Sequence, residues 1–225
     1  MATRLYLHNT TNSTSGLPTA EQSTKTATHN MVAQTINNVM DVSAGTAQVT
    51  RSSSYPNDTV AIYMGRWVST PLVADTISAN TWTLNFAASE QNQGANGSEF
   101  PVLGTNQVLW VNCYVWRPST SSKVGTILDG NTAAVYDEPS AAVTEKVMHG
   151  TFSGSAVSVQ NSDVLILEIW TARTIDPSTN DDINIYFDGT TVNTTENATV
   201  SNHAAFLETP QTLAFTITKL YFHAA

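Results

Sequence analysis

Leu109-Trp-Val-Asn-Cys-Tyr-Val-Trp116 and Asp163-Val-Leu-Ile-Leu-Glu-Ile-Trp170 alternate with a period of two, the repeat of an extended strand whose successive side chains point to opposite faces. Leu109, Val111, Cys113 and Val115 form one face of the first stretch, and Leu165, Leu167 and Ile169 one face of the second. The opposite faces carry Trp110, Asn112, Tyr114 and Trp116, and Ile166, Glu168 and Trp170. A sheet with one wet face would show polar residues there, so both faces are expected to be covered.

The same alternation recurs outward from these stretches. Val60, Ile62 and Met64 alternate with Ala61, Tyr63 and Gly65, and Tyr63 and Trp67 share a parity on that strand. Trp82, Leu84 and Phe86 form another half-buried face. Ile183, Ile185 and Phe187 run into Asp188-Gly189, a tight-turn signal. Leu213, Phe215 and Ile217 alternate until the parity flips to Leu220 and Phe222, which predicts a bulge near Thr218 and Lys219. Many short strands without long helices between them predict an all-β, antiparallel two-sheet sandwich of jelly-roll type.

The first quarter reads differently. A short strand from Arg4 to His8 precedes Asn9-Thr-Thr-Asn-Ser-Thr-Ser-Gly-Leu-Pro18 and a polar run to His29, too poor in apolar residues to build a core alone. Val32, Ile36, Val39 and Met40 have helical spacing among poor helix formers. The expected division is therefore an N-terminal strand and extended arm over 1–58 and a sandwich over 59–225. Arg4-Leu-Tyr-Leu-His8 and Lys219-Leu-Tyr-Phe-His223 echo each other, which places the two ends near one another in one sheet.

Composition excludes several functions. Charged residues make up 12% of the chain, about half the usual share, and the net charge is −9. Its nine Lys and Arg form no cluster that could follow a phosphate backbone, so neither nucleic acid nor an anionic membrane is an expected partner. The start lacks the apolar core of a signal peptide, which predicts synthesis in the cytoplasm. The single cysteine, Cys113, lies in an apolar strand face and is expected to be a buried, inert thiol.

No motif for catalysis or for a cofactor appears. Glu168, between Ile166 and Trp170, is the one carboxylate placed as a glycosidase acid could be, but that chemistry needs a second carboxylate across the bond. Pairing with Arg66, Arg117 or Arg173, or solvation at a strand edge, is the plainer expectation. Ser153, in Gly150-Thr-Phe-Ser-Gly-Ser, lacks the upstream Gly of a nucleophile elbow and reads as a turn serine near His149. His8, His29, His149, His203 and His223 are dispersed, which gives zinc no support. The oxygen-rich stretches with Asp176, Asp181 and Asp182, and with Asp129, Asn131, Asp137 and Glu138, lack the ligand order of a calcium loop. Tyr63, Trp67, Trp110, Tyr114, Trp116 and Trp170 are left as candidate contacts to a subunit or ligand. They are covered by the arm, a loop or the other sheet, or by partner subunits, or they form a platform for sugar rings.

Taken together, Ala2-Thr-Arg-Leu-Tyr-Leu-His-Asn9, the Asn/Thr/Ser-rich arm, Asp163–Trp170 and Ile185-Tyr-Phe-Asp-Gly-Thr190 resemble the small virion proteins of tailed bacteriophages, including those of cyanobacteria. The resemblance is to jelly-roll modules of capsid decoration (cement) proteins, tail proteins and fibres. It implies a non-enzymatic virion structural protein, most of all a decoration protein that stabilises the head. Homo-oligomers, trimers above all, would contact the major capsid protein or other virion subunits. A carbohydrate-binding adhesin of tail or fibre is the alternative, and a glycan-degrading jelly-roll enzyme a more distant one.

Overall fold

The computed structural model of the protein describes residues 2–18, 37–54, 62–91, 107–129, 145–173, 182–195 and 198–216. The predicted alternation becomes thirteen strands, and no helix occurs among the described residues. In chain order these are β1 (Arg4–Thr11), β2 (Asn37–Asp41), β3 (Val49–Ser54), β4 (Ile62–Ser69), β5 (Asp75–Ile77), β6 (Thr81–Gln91), β7 (Gln107–Arg117), β8 (Ser122–Leu128), β9 (Lys146–Ser153), β10 (Val157–Val159), β11 (Val164–Arg173), β12 (Asp182–Phe187) and β13 (Phe206–Glu208).

The fold is the expected all-β sandwich, but its layers are one continuous mixed sheet folded on itself. The order is β3-β12-β6-β13-β1-β2-β4-β11-β7-β8, and β9 pairs with β6. Among the described residues, β5 and β10 stand apart as a two-stranded sheet. The fork lies at β6. Its residues Thr81–Ala88 pair with β9, so β13, at Thr83–Asn85, and β12, at Ala87–Gln91, must share its other edge end to end. From β13 the sheet runs through β1 to β8, and from β12 it continues into β3. The Arg51 guanidinium on β3 reaches back to the Met64 carbonyl of β4 at 3.0 Å, which places the second branch over the first. The Ser155 amide donates to the Ile127 carbonyl at 2.9 Å, joining the segment after β9 to the far end of the sheet at β8.

The core fills the space inside this fold. Val111, Cys113, Val115, Leu165, Leu167, Ile169, Trp82, Leu84 and Phe86 all sit in it, as their alternation predicts, with Leu5, Leu7, Met40 and Leu207 from the middle of the sheet. Burial pushes the Cys113 thiol far above its ordinary range, so it stays protonated and inert.

The division at Thr59 does not match how the strands are joined. β1 lies between β13 and β2 in the middle of the sheet, β2 pairs with β4, and β3 pairs with β12. These three strands belong to the sandwich, because Leu5 and Leu7 of β1 and Met40 of β2 are part of its core and Val49 of β3 packs against it. The β2–β4 pair is parallel, which makes the sheet mixed. Residues 37–41 are strand and not helix, since tertiary pairing overrides a weak helical spacing; 31–36 lie outside the described residues, as do the echo at 219–223 and the bulge near Thr218. Asp188-Gly189 does not close a two-residue hairpin. Asp188 takes a left-handed φ of 66°, and the chain leaves β12 into a loop that returns at Asn202–Ala204.

Gly45, in the connection from β2 to β3, packs directly against the residue that follows β12. A Cβ there would sit 2.1 Å from the Asp188 carbonyl oxygen and 2.3 Å from its carbon, backbone atoms that cannot turn away. Gly45→Ala is therefore expected to destabilise the fold by about 2 kcal/mol, in the range for overpacking, which urea unfolding followed by tryptophan fluorescence would read.

Candidate functional site

The second face of β7, β11 and β4 is where the sequence places both its candidate acid and most of its aromatic rings. Register aligns one polar residue from each of four strands there: Asn112 of β7 opposite Glu168 of β11, Glu168 opposite Arg66 of β4, and Arg66 opposite Asn37 of β2. This row lies across an otherwise apolar surface. On one side of it Val68, Tyr114, Val164 and Ile166 form a small second core. On the other side Trp170 meets Tyr63 edge to face, with ring centroids 5.0 Å apart.

Glu168 is fully buried. The Tyr114 hydroxyl donates to its Oε1 at 2.8 Å, the Trp170 indole N–H to its Oε2 at 3.3 Å, and Arg66 Nε lies 3.2 Å from Oε1. The Arg66 Nε contact is one of charge, without hydrogen-bond alignment, while its Nη1 donates to the Asn37 side chain at 3.0 Å and to the Pro18 carbonyl at 2.6 Å. Of the three arginines named from sequence, Arg66 is the partner of Glu168. Arg117 is committed to Asp163 through two bonds of 2.8 and 2.9 Å, and the Arg173 side chain lies outside the described residues.

The cover over this face is the segment after β1, Asn12–Pro18. Leu17 packs on the second core, the half-buried Trp116 donates its indole N–H to the Gly16 carbonyl at 2.7 Å, and Asn12 donates to the Val68 carbonyl at 3.4 Å. Gly16 has a φ of 71°, a conformation glycine adopts without a Cβ penalty. The beginning of the expected arm thus covers its own sheet. The hydroxyl- and amide-rich composition that bars it from being a core suits a strap that offers backbone carbonyls to buried donors.

Among the six candidate contact rings, Tyr63, Trp67, Tyr114 and Trp170 are at most 5% exposed and are enclosed by this chain itself. Trp116 remains partly accessible, and Trp110 is placed only by its backbone, opposite Trp170, its side chain lying outside the described residues. Tyr63 and Trp67 do not share a face. The β4–β11 register shifts between Ile169 and Trp170, so Tyr63 joins Trp170 on the second face while Trp67 turns into the main core against Phe187. An extra residue in one strand reverses the parity beyond it, which alternation alone does not reveal.

The remaining sequence candidates carry no chemistry together. Ser153 is an exposed residue of β9, paired with Thr81, and not a turn serine. Among the described residues no group of three or more His, Cys, Asp or Glu could hold a metal. Asp176, Asp181, Asn131, Asp137 and Glu138 lie outside the described residues.

A second polar cluster was not foreseen. Asn85 of β6, fully buried, accepts from His203 Nε2 at 2.6 Å and donates to His149 Nδ1 at 3.0 Å and to the Asn193 carbonyl at 3.1 Å. These residues come from three distant parts of the chain, and no spacing in the sequence announces them.

No protein-family model matches the chain, and no curated protein matches it in sequence. Among solved structures it is similar to a CocE/NonD family hydrolase from Staphylococcus aureus, with 9% identity and a TM-score of 0.45, over 95% of this chain and 36% of that one. Weaker structural neighbours include the infectious bursal disease virus Gx strain, with 15% identity and a TM-score of 0.33 over 73% of this chain and 33% of that one. Another is the VP2 subviral particle of infectious bursal disease virus, with 9% identity and a TM-score of 0.17 over 73% and 38%. The chain spans about a third of the length of the solved chains that it matches.

Proposed function

We propose that the protein is a non-enzymatic structural component of a virion, a capsid decoration or cement protein that acts through contacts between copies of itself and with the major capsid protein. The observation that carries the non-enzymatic reading is the closure of Glu168. The one carboxylate set among aromatic rings as a glycosidase acid would be is sealed from solvent and its oxygens are held by Tyr114, Trp170 and Arg66, so it meets no glycosidic bond in this fold. The virion reading is supported by the resemblance of Ala2–Asn9, Asp163–Trp170 and Ile185–Thr190 to strands of phage jelly-roll modules. A stacking platform for glycans has less to stand on, because four of the six candidate rings are enclosed.

The purified protein is expected to run in light scattering at three times its 24.2 kDa chain mass. Particles assembled without it are expected to lose their contents at lower temperature than particles that carry it, and a labelled copy to appear on the head surface in electron micrographs. A monomer that leaves particle stability unchanged would overturn the proposal, and strong signals on a glycan array would favour the adhesin.

A further inference from the structure

The loop between β12 and β13 is fastened at one point of unusual chemistry. Its neck closes on itself, with the Gly189 amide donating to the His203 carbonyl at 3.1 Å and the Ala204 amide to the Thr191 carbonyl at 2.8 Å. Its outer part lies along the start of β9, where the Val147 amide donates to the Ala198 carbonyl at 3.0 Å and the Val200 amide to the Glu145 carbonyl at 3.3 Å. Asn85 of β6 holds the neck to the sheet at two points, accepting from the fully buried His203 ring and donating to the Asn193 carbonyl.

The hydrogen bonds fix the protonation pattern. The Asn85 amide nitrogen donates to His149 and Asn193, so its oxygen faces His203, and His203 must carry its hydrogen on Nε2. His203 Nδ1 is then a bare lone pair, buried and without a hydrogen-bond partner among the described residues. A second proton would charge the ring there, in a place that offers no acceptor for it. Among the described residues the ionisable groups around this point are Glu145, Lys146 and His149, from β9 and the residue before it. Among the described residues the neighbouring segments add the neutral amides Asn85 and Gln48, Gln48 accepting from the His203 backbone amide and donating to Glu145 at 2.8 Å. Lys146 is itself a cation, held by Thr199, and His149 uses its Nδ1 lone pair to accept from Asn85, so neither stabilises an imidazolium.

We propose that the loop segments 189–195 and 198–204 form an acid-released flap, detached from β6 and from the edge of β9 when His203 gains a second proton. Burial holds His203 down at about 4, against an ordinary value of 6.5. A base whose value is depressed by folding contributes stability that is complete above the ordinary value and lost as pH falls toward the depressed one, because the open form takes up the proton first. Glu145 acts in the opposite sense, since burial raises its carboxyl. Once Glu145 is neutral it offers His203 no counter-charge. The released flap would leave the Val147 amide and the Glu145 carbonyl open, a short unpaired strand edge of the kind that pairs with another chain.

Hydrogen exchange of the full-length protein, corrected for the intrinsic pH dependence of exchange, tests this. Between pH 7 and 4.5 the amides of these two segments are expected to lose at least about tenfold in protection relative to those of β11. His203→Gln, which keeps a donor for Asn85 but does not titrate, should be flat over the same range. A loop whose protection ignores pH, or a His203→Gln variant that responds as the parent does, overturns the proposal. If His203→Gln does not fold, the imidazole resonances of the unmodified protein decide: a histidine titrating near 4 in step with the loop amides upholds it, and loop amides that do not follow it refute it.

Discussion

Arg66→Met is expected to destabilise the protein by about 3–5 kcal/mol, the usual result of stripping the partner from a buried charge. In a chain of this length that corresponds to a fall in Tm of about 6–20 °C. Glu168 would keep its Tyr114 and Trp170 donors but lose the Arg66 charge beside it, and Arg66 also ties Asn37 of β2 and Pro18 of the strap to β4. Removing both charges tells whether the row provides stability or only specificity. Arg66→Met with Glu168→Leu should recover part of the loss, because two well-packed apolar side chains no longer carry a desolvation cost. Recovery should be incomplete, since the Tyr114 hydroxyl loses the carboxylate to which it donates, at about 1–3 kcal/mol, and adding Tyr114→Phe should restore more. Chemical denaturation of the four proteins gives the comparison. A loss below about 1 kcal/mol for Arg66→Met would place this row among solvated pairs and remove the argument that Glu168 is sealed.

The second large effect is expected at Trp82. Its ring is fully buried in the main core, and a Cβ on Gly154 would lie only 2.4 Å from its Nε1, so the segment after β9 rests directly on it. Trp82→Ala leaves a cavity under the point where β9 and β8 approach, with a cost of about 3–5 kcal/mol. Trp82→Phe should cost much less, because the buried indole N–H has no hydrogen-bond partner among the described residues and so no bond is lost with it. Thermal unfolding of both variants would show it. Equal losses would mean that the indole nitrogen, and not the ring's volume, holds this corner together.

These two residues also show what can be read from a linear chain. Trp82 was recognisable as core, because Trp82, Leu84 and Phe86 alternate with polar neighbours and the pattern of one strand needs no partner to interpret. The same is true of Val111 to Val115 and Leu165 to Ile169, and of Glu168 as an oddity on an apolar second face. The choice of Arg66 over Arg117 and Arg173 was not legible, since it depends on the register of β4 against β11. Nor was the separation of Tyr63 from Trp67, which follows from the register shift in that same pair. The place of β1, β2 and β3 within the sheet was hidden for another reason: polar segments between short strands look alike in sequence whether they reach away or fold back.

The sequence by itself determined the strand class, the inward faces, the inert cysteine and the absence of any familiar catalytic motif. Each of these is written in a local period of two or in residue type, and burial of apolar faces enforces it whatever the topology. Only the tertiary structure decided that a single sheet forks at β6, that Asn12–Pro18 straps the second face, that most of the aromatic rings are enclosed, and that Asn85 joins His149 to His203. Those features are made by contacts between residues far apart in the chain, which depend on register and crossing of strands, and no periodicity within one strand encodes them.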